Sequence, residues 1–435
     1  MHDTAEICEA AARRLLDPAA PATAEALDFL DWLACPVPAS PGPVERNRAL
    51  LLRAAARFDR LFSLDCPTAP GLAVFGAEVP LDLLAISGPA PSHGSASVSG
   101  TGASLLDAFE GCIGEGIELL SSVATAADRI LAVPPRQDCT AWLDRILPPG
   151  VVPDGWVEVL RLDGPGGNAW LPAGLCLRRA TPDFAPPWPL SIGCAAGPTP
   201  AAAALHGLLE LIERDAAALW WRGGRRGRPV PLEDPAMVGT VALLARLRQA
   251  TTGRVSWLLD LTTDLGVPVI AAISTATDGR GFCCGLAART TRAGAARAAV
   301  LEMAQMEMAH AVVLAKQAER GHAALNPRDH ALLARHAGID AATCALLHPQ
   351  GTVSVTAALP EAPDAAMAAL IARLGARGLP VYALDLTRPA LGVPVVRMLC
   401  PGLEVEPSCN SGPRLRDWHD RCGSNDCHAN GIALM

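Results

Sequence analysis

The sequence predicts an α+β protein. Short apolar runs bounded by Gly, Pro, Asn and Asp alternate with long Ala- and Leu-rich stretches of helical character. Three of the long stretches carry an acidic pattern at helical spacing: EGIE at Glu115–Glu118, ELIE at Glu210–Glu213 and EMAQ at Glu302–Gln305. The intervals between Glu115, Glu210 and Glu302 are 95 and 92 residues. That is too long for a solenoid repeat but suits neighbouring supersecondary units converging on one site.

Residues 1 to about 70 read as helices broken by proline-rich links such as CPVPASPGPVE. GLAVFGA, LDLLAIS and SASVSG then read as strands, and an SGTG turn at Ser99–Gly102 opens the first acidic helix, from about Ser104 to Ala127. WVEVLRLDG and AWLPAGLCLRR give two more strands. The second acidic helix starts after GPTP, with Thr199 as cap and Pro200 in the first turn, and runs to about Trp221. RVSWLLDL, PVIAAIST and GFCCGLAA are strands, the last two joined by a turn at Asp278-Gly279. The third acidic helix spans about Arg292 to Glu319. A helix over 363–377 and the strands VYALDL and VPVVRMLC complete the pattern.

With 435 residues, 50% hydrophobic and 18% charged, the chain can bury a large core. No run of eighteen apolar residues occurs, and the start lacks the basic and apolar segments of a signal peptide, so neither a membrane nor an export route is expected. Fourteen cysteines without disulfide-like spacing point to a reducing cytoplasm. A net charge of −8 with scattered arginines gives no nucleic-acid footprint. The one basic knot, Arg222, Arg225, Arg226 and Arg228, reads as favourable charge after a helix C-terminus.

Carboxylates or an amide at i and i+3 stand side by side on one helix face. Within apolar flanks such as CIGEGIELL they lie on or near buried faces, where an unpaired charge is costly and a cation is called for. Hard oxygen ligands suit Mg²⁺, which usually enters with a phosphate-bearing ligand. The only lysine is Lys316 and no GxxxxGK[ST] is present, which excludes a P-loop.

Competing chemistries fare worse. Glu307 and His310 form a single ExxH, whereas a di-iron carboxylate bundle needs two. GxSxG is absent, and Cys112 and Cys194 sit in apolar stretches where cysteine is usually packing. Near the C-terminus Cys409, His419, Cys422, Cys427 and His428 supply enough ligands for a Zn²⁺ ion, though their spacing matches no standard finger.

Three ordered segments carry a resemblance. GCAAGPTPAAAALHGLLELIERDA resembles the signature segment of the YcaO superfamily, in which a glycine-containing turn leads into a helix ending ExxERDA. SVSGTGASLLDAFEGCIGEGIELLSS resembles its GKG turn and ExxE helix, and LEMAQ its ExxQ motif. The resemblance spans about residues 85 to 400, leaving a helical, proline-interrupted region at 1–84 and a Cys/His-containing segment at 401–435.

The resemblance implies β-sheets packed by acidic helices around an ATP site without a P-loop. Carried over, Glu115, Glu118, Glu210, Glu213 and Glu302 would hold Mg²⁺, with Gln305 and the turn residues Ser99, Gly100 and Gly102 at the nucleotide and Arg214 at phosphate. The family uses ATP to activate a peptide amide oxygen, giving thiazoline or oxazoline rings in a ribosomally made precursor, or thioamides with an external sulfur donor. WLPAGLC and ERDAAALWWRGGRRGR look most like the cyclodehydratase branch. A precursor peptide, a leader-peptide-binding or E1-like partner and a homo-oligomer are implied with it. The chain departs from the pattern at Thr101, Leu119, Pro198 and Ala202, where Lys, Arg, Asn and Glu are usual, and lacks the PxPxP ending. Those departures keep open a non-catalytic scaffold.

Overall fold

The computed structural model describes residues 4–81, 95–135, 142–143, 146–147, 150–164, 167–180, 182, 184–249, 251, 253–353, 357–408, 411–422, 432 and 434. The chain divides into two compact units, each assembled from separated segments. Met1–Leu64, Ala73–Leu208 and Pro380–Leu399 form the first; Asp65–Leu72, Leu209–Leu379 and Cys400–Met435 form the second.

The first unit opens with three helices, α1 (Thr4–Leu16), α2 (Ala24–Trp32) and α3 (Pro43–Ala55). An antiparallel sheet of β1 (Arg60–Leu64), β2 (Ala73–Pro80) and β3 (Ser95–Gly102) follows, in the order β1-β2-β3. Residues 60–64, read from sequence as part of a helical region, are thus a strand: RLFSL gains its hydrogen bonds from β2, a long-range partner that local propensity does not register. The expected LDLLAIS strand lies largely outside the described residues.

The helix α4 (Leu105–Ser121) starts where Ser104 accepts from the Asp107 amide and the Asp107 carboxylate accepts from the Ser104 amide, a reciprocal cap. Its buried face is Ala108, Phe109, Cys112, Ile113, Gly116, Ile117 and Leu120. At the other end, the buried Arg388 guanidinium donates to the Ser121 and Val123 carbonyls and pairs with Asp128 at 2.8 Å, satisfying acceptors that the helix terminus leaves over.

A second antiparallel sheet completes this unit, in the order β5-β4-β11-β12-β6, from β4 (Trp156–Arg161), β5 (Gly167–Pro172), β6 (Cys194–Ala196), β11 (Tyr382–Asp385) and β12 (Val395–Leu399). The four-residue helix α5 (Ala173–Cys176) follows β5 where one strand through LPAGLC was expected. Phe75, Phe109, Ile113, Leu171 and Val395 belong to one apolar core.

The helix α6 (Pro200–Trp221) contributes residues through Leu208 to the first unit and the rest to the second. Thr199 caps it as expected, its Oγ1 accepting from the Ala202 amide at 3.2 Å. The second unit holds an antiparallel sheet ordered β10-β9-β8-β7, made of β7 (Arg228–Pro229), β8 (Arg254–Asp260), β9 (Val269–Ala276) and β10 (Cys283–Ala288). The Asp278-Gly279 turn joins β9 to β10, with Gly279 at φ +83°, a backbone region that favours glycine. Helices α7 (Val238–Arg248), α8 (Arg292–Arg320), α9 (Pro327–Gly338), α10 (Pro363–Gly375) and α11 (Pro413–Cys422) complete it.

By length and composition α8, with 29 residues, could cross a bilayer. Here it lies along β10, and Gly285 is what permits the approach: a Cβ there would stand 2.1 Å from the Met303 amide nitrogen. The segment after Leu399 is tied to α6. The fully buried Asp215 carboxylate accepts from the Glu404 amide and, at 2.8 and 2.9 Å, from two nitrogens of Arg414. In the basic knot, Arg222 serves the same end by pairing with Glu406 at 2.7 Å, whereas Arg225 and Arg226 donate to the Leu261 and His348 carbonyls.

Candidate functional site

Glu210, Glu213 and Arg214 stand on α6, and Glu302 on α8. Arg214 Nη2 is 3.4 Å from a Glu210 oxygen and 3.7 Å from a Glu213 oxygen. The other Glu213 oxygen accepts from the Ala288 amide at 3.0 Å, and a Glu302 oxygen accepts from the Leu286 amide at 3.0 Å. Three carboxylates from two helices therefore gather beside the last residues of β10.

Their electrostatics are strained in a telling direction. Burial, aided by the charges of Glu302 and Glu210 against Arg214 and Arg289, pushes the Glu213 carboxyl up to about 8. Burial also raises Glu302, against the pull of Arg214. Arg214 is held charged: its burial works against the cation, but Glu213, Glu210 and Glu302 outweigh it. With all three carboxylates ionised, negative charge would be in excess here, and a divalent cation would relieve it.

The donor set fits Mg²⁺. Among the described residues no three His, Cys, Asp or Glu side chains are disposed to hold one metal ion alone. Mg²⁺ does not ask for that, since it is ordinarily held by one or two carboxylates together with phosphate oxygens and water. Glu213 and Glu302 are the carboxylates that could supply such a share. Gln305, one turn beyond Glu302 on α8, is half-buried.

In the first unit, Glu118 is half-buried and accepts from the Ala196 amide at 2.7 Å. Glu115 is exposed rather than on a buried face. The residues facing the core at 112, 113, 116 and 117 leave 115 on the flank of the helix. Ser99, Gly100 and Gly102, expected in a turn, belong to β3 instead. Packing accounts for the glycines, since a Cβ on Gly100 would meet the Cys112 nitrogen at 2.2 Å and one on Gly102 the Asp107 Cβ at 2.5 Å. Thr101 sits opposite Val74 in the same sheet, Leu119 is half-buried, Ala202 is buried and Pro198 is exposed.

The competing sites dissolve. Glu307 is buried in a pair with Arg248, at 2.6 and 2.8 Å, and lies 3.1 Å from Arg254, which keeps it ionised below the usual carboxylate range despite its burial. His310 stacks on His336 with ring centroids 3.4 Å apart. Burial, with a contribution from Glu115, pushes the Cys112 thiol up to about 12, so it is packing rather than a nucleophile. Cys194 is likewise buried.

For zinc, Cys409, Cys427 and His428 lie outside the described residues, and of Cys422 only the backbone is described. His419 directs Nε2 to the Arg222 carbonyl at 3.2 Å. The described residues give the zinc expectation no support.

Sequence reading missed Arg289. It is exposed, donates to the Ala288 carbonyl at 2.8 Å and adds positive charge next to Glu213 and Glu302. Its place between a strand and the Thr291 cap of α8 was the available signal. The amides of Ala196, Leu286 and Ala288 left no signal at all, being backbone groups.

Comparison with known proteins agrees with this architecture. Over 238 residues the chain is 31% identical to an uncharacterized protein in the tfuA 3' region of Rhizobium leguminosarum bv. trifolii, covering 50% of this chain and 53% of that one. The chain spans about half the length of the curated relatives it matches. Among solved structures, a heterocyclase in complex with substrate and cofactor shares its fold with a TM-score of 0.65, at 22% identity over 88% of this chain and 55% of that one. The YcaO protein of Methanopyrus kandleri, bound with AMPPCP and Mg²⁺, gives 0.57 at 21% identity, over 83% and 91% of the two chains. The model of the YcaO family, described as an ATP- and Mg²⁺-binding cyclodehydratase, matches residues 99–404 and takes in both acidic sets and the edge strands beside them. The chain belongs to the YcaO family.

Proposed function

We propose that this chain uses MgATP to modify the backbone of a ribosomally made precursor peptide, forming thiazoline or oxazoline rings. The observation that carries the reading is the gathering of three carboxyl groups, Glu210, Glu213 and Glu302, around Arg214, in a chain of the YcaO family.

Glu213 and Glu302 would bind Mg²⁺, with Glu210 as a third carboxylate, and Arg214 would contact phosphate as a guanidinium can. Arg289 adds a second cation at the same place. The family resemblance assigns metal binding to Glu115 and Glu118 and nucleotide contact to Ser99, Gly100, Gly102 and Gln305. Bound MgATP would supply the phosphoryl group that leaves with the amide oxygen as phosphate, after a Cys, Ser or Thr side chain has added to the carbonyl carbon and before the amide nitrogen loses its proton to leave C=N. What the protein contributes is alignment and charge neutralisation rather than a nucleophile. The peptide is presented by a leader-binding or E1-like partner.

Calorimetric titration of the purified chain with ATP, with and without Mg²⁺, tests this. Mg²⁺-dependent binding that falls at least tenfold in Glu213→Gln is expected. No binding at millimolar ATP and Mg²⁺ would overturn the reading and favour a peptide-binding scaffold, which the departures at Thr101, Leu119, Pro198 and Ala202 motivate.

A further inference from the structure

Three carboxylates of the acidic helices share one hydrogen-bonding geometry. Each gives one oxygen to the backbone amide of an edge strand: Glu213 to Ala288 and Glu302 to Leu286 on β10, Glu118 to Ala196 on β6. The Arg289 amide turns inward to the Pro268 carbonyl, so in the alternation of an antiparallel ladder the Leu286 and Ala288 amides face the open side of the sheet. Edge amides in a buried setting need acceptors, and these acids supply them.

The geometry has a second consequence. Two outward amides on one strand are two residues apart, about 7 Å along the chain. The carboxylates they hold are spaced by the strand itself. A carboxylate with one oxygen fixed by N–H cannot swing to chelate an ion with both, and Mg²⁺ demands a near-octahedral shell that such a narrow bite distorts. Outer hydrogen bonds of this kind also fix the orientation of metal ligands.

We propose that the open edge of β10 is the positioning element of the cation site: the Leu286 and Ala288 amides each take one oxygen of Glu302 and Glu213 and leave these side chains as single-oxygen ligands at a separation set by the strand. The inference rests on the proposed function, which makes them ligands. The recurrence at Glu118 and Ala196, in a different sheet of the other unit, shows the same solution reached independently.

The test is an amide-to-ester exchange at Ala288, with lactic acid incorporated in place of alanine, which removes the N–H and keeps the shape. Mn²⁺ binding followed by electron paramagnetic resonance, without nucleotide, is the first readout; MgATP calorimetry is the second. Mn²⁺ affinity is expected to fall about tenfold, with the melting temperature of the cation-free protein little changed. The same exchange at Ala287, whose amide faces β9, should lower the melting temperature and leave Mn²⁺ affinity alone. Ala288→Pro is a second variant, since proline is tolerated where an edge-strand amide faces outward. Unchanged Mn²⁺ affinity in the Ala288 ester, or an equal loss in the Ala287 ester, overturns the positioning role while the nucleotide site stands. A parent protein that binds neither Mn²⁺ nor MgATP removes the proposed function itself, and this inference with it.

Discussion

The two units make the same strand-to-helix contact and put their acids to different use. Gly100 of β3 lies so close to α4 that a Cβ would stand 2.2 Å from the Cys112 nitrogen; Gly285 of β10 lies so close to α8 that a Cβ would stand 2.1 Å from the Met303 nitrogen. In the first unit one helix carries both acids, Glu115 exposed and Glu118 bound to an edge amide. In the second, two helices bring three acids together around Arg214, and the most buried of them, Glu213, is driven toward its neutral form. Identical i,i+3 spacing thus yields a solvated flank in one place and a charge-stressed cluster in the other. Depth of burial and the charges of neighbouring elements decide which.

The contact itself breaks first. Gly285→Ala and Gly100→Ala each force a methyl against helix backbone that has no side-chain freedom to yield, and each should cost about 3 kcal/mol in a denaturant titration. Nucleotide titration then separates them. Gly285→Ala displaces the β10 edge and the acids it holds, so MgATP affinity should collapse even where the variant stays folded. A Gly285→Ala protein with parental stability would mean that strand and helix part at little cost.

A second comparison turns on pH. Glu213 is raised to about 8 from an ordinary 4.5, so the folded protein binds a proton that the unfolded chain has lost between those values. Its contribution is fully present below 4.5 and is lost as pH rises through 8. Stability of the cation-free protein should therefore decline across this window, and Glu213→Gln should flatten the decline. Added Mg²⁺ should restore stability most at the alkaline end. A Glu213→Gln protein with the parental pH profile would place the excess charge elsewhere.

The smallest effect lies away from the acids. Burial, with the neighbouring His310 and Arg254, lowers His336 from 6.5 to about 4. The sign is opposite: the unfolded chain takes up the proton first, so stability is present above 6.5 and is lost as pH falls toward 4. Because the ring is half exposed, solvent screening keeps the loss within about 1 kcal/mol. His336→Asn should remove that acid-side slope in thermal melts and leave the Glu213 slope untouched.

Much of the fold was legible because it rests on local signals. Thr199 and Pro200 mark the start of α6 and Trp221 its last residue; α8 starts at Arg292 as read; Asp278-Gly279 turns β9 into β10. Capping and turn chemistry act over three or four residues, which is the range at which a sequence can be read. The strand β1 and the placement of Ser99–Gly102 in β3 were not legible, since both depend on pairing with β2. In the site, the acids were named from their pattern and Arg214 from the family resemblance. Arg289 was not, nor was Asp215, which meets Arg414 199 residues along the chain.

By itself the sequence determined the α+β character, the three acidic helices and, through its single lysine and missing GxxxxGK[ST], the absence of a P-loop, because helical periodicity and side-chain type are local properties of the chain. Only the tertiary structure decided which acids are buried, which of their oxygens are taken, and that β6 and β10 are edge strands with amides to offer. The physical reason is that strand order and carboxylate desolvation arise from contacts between residues far apart in the chain. Glu118 and Ala196, 78 residues apart, acquire their relation when the chain folds.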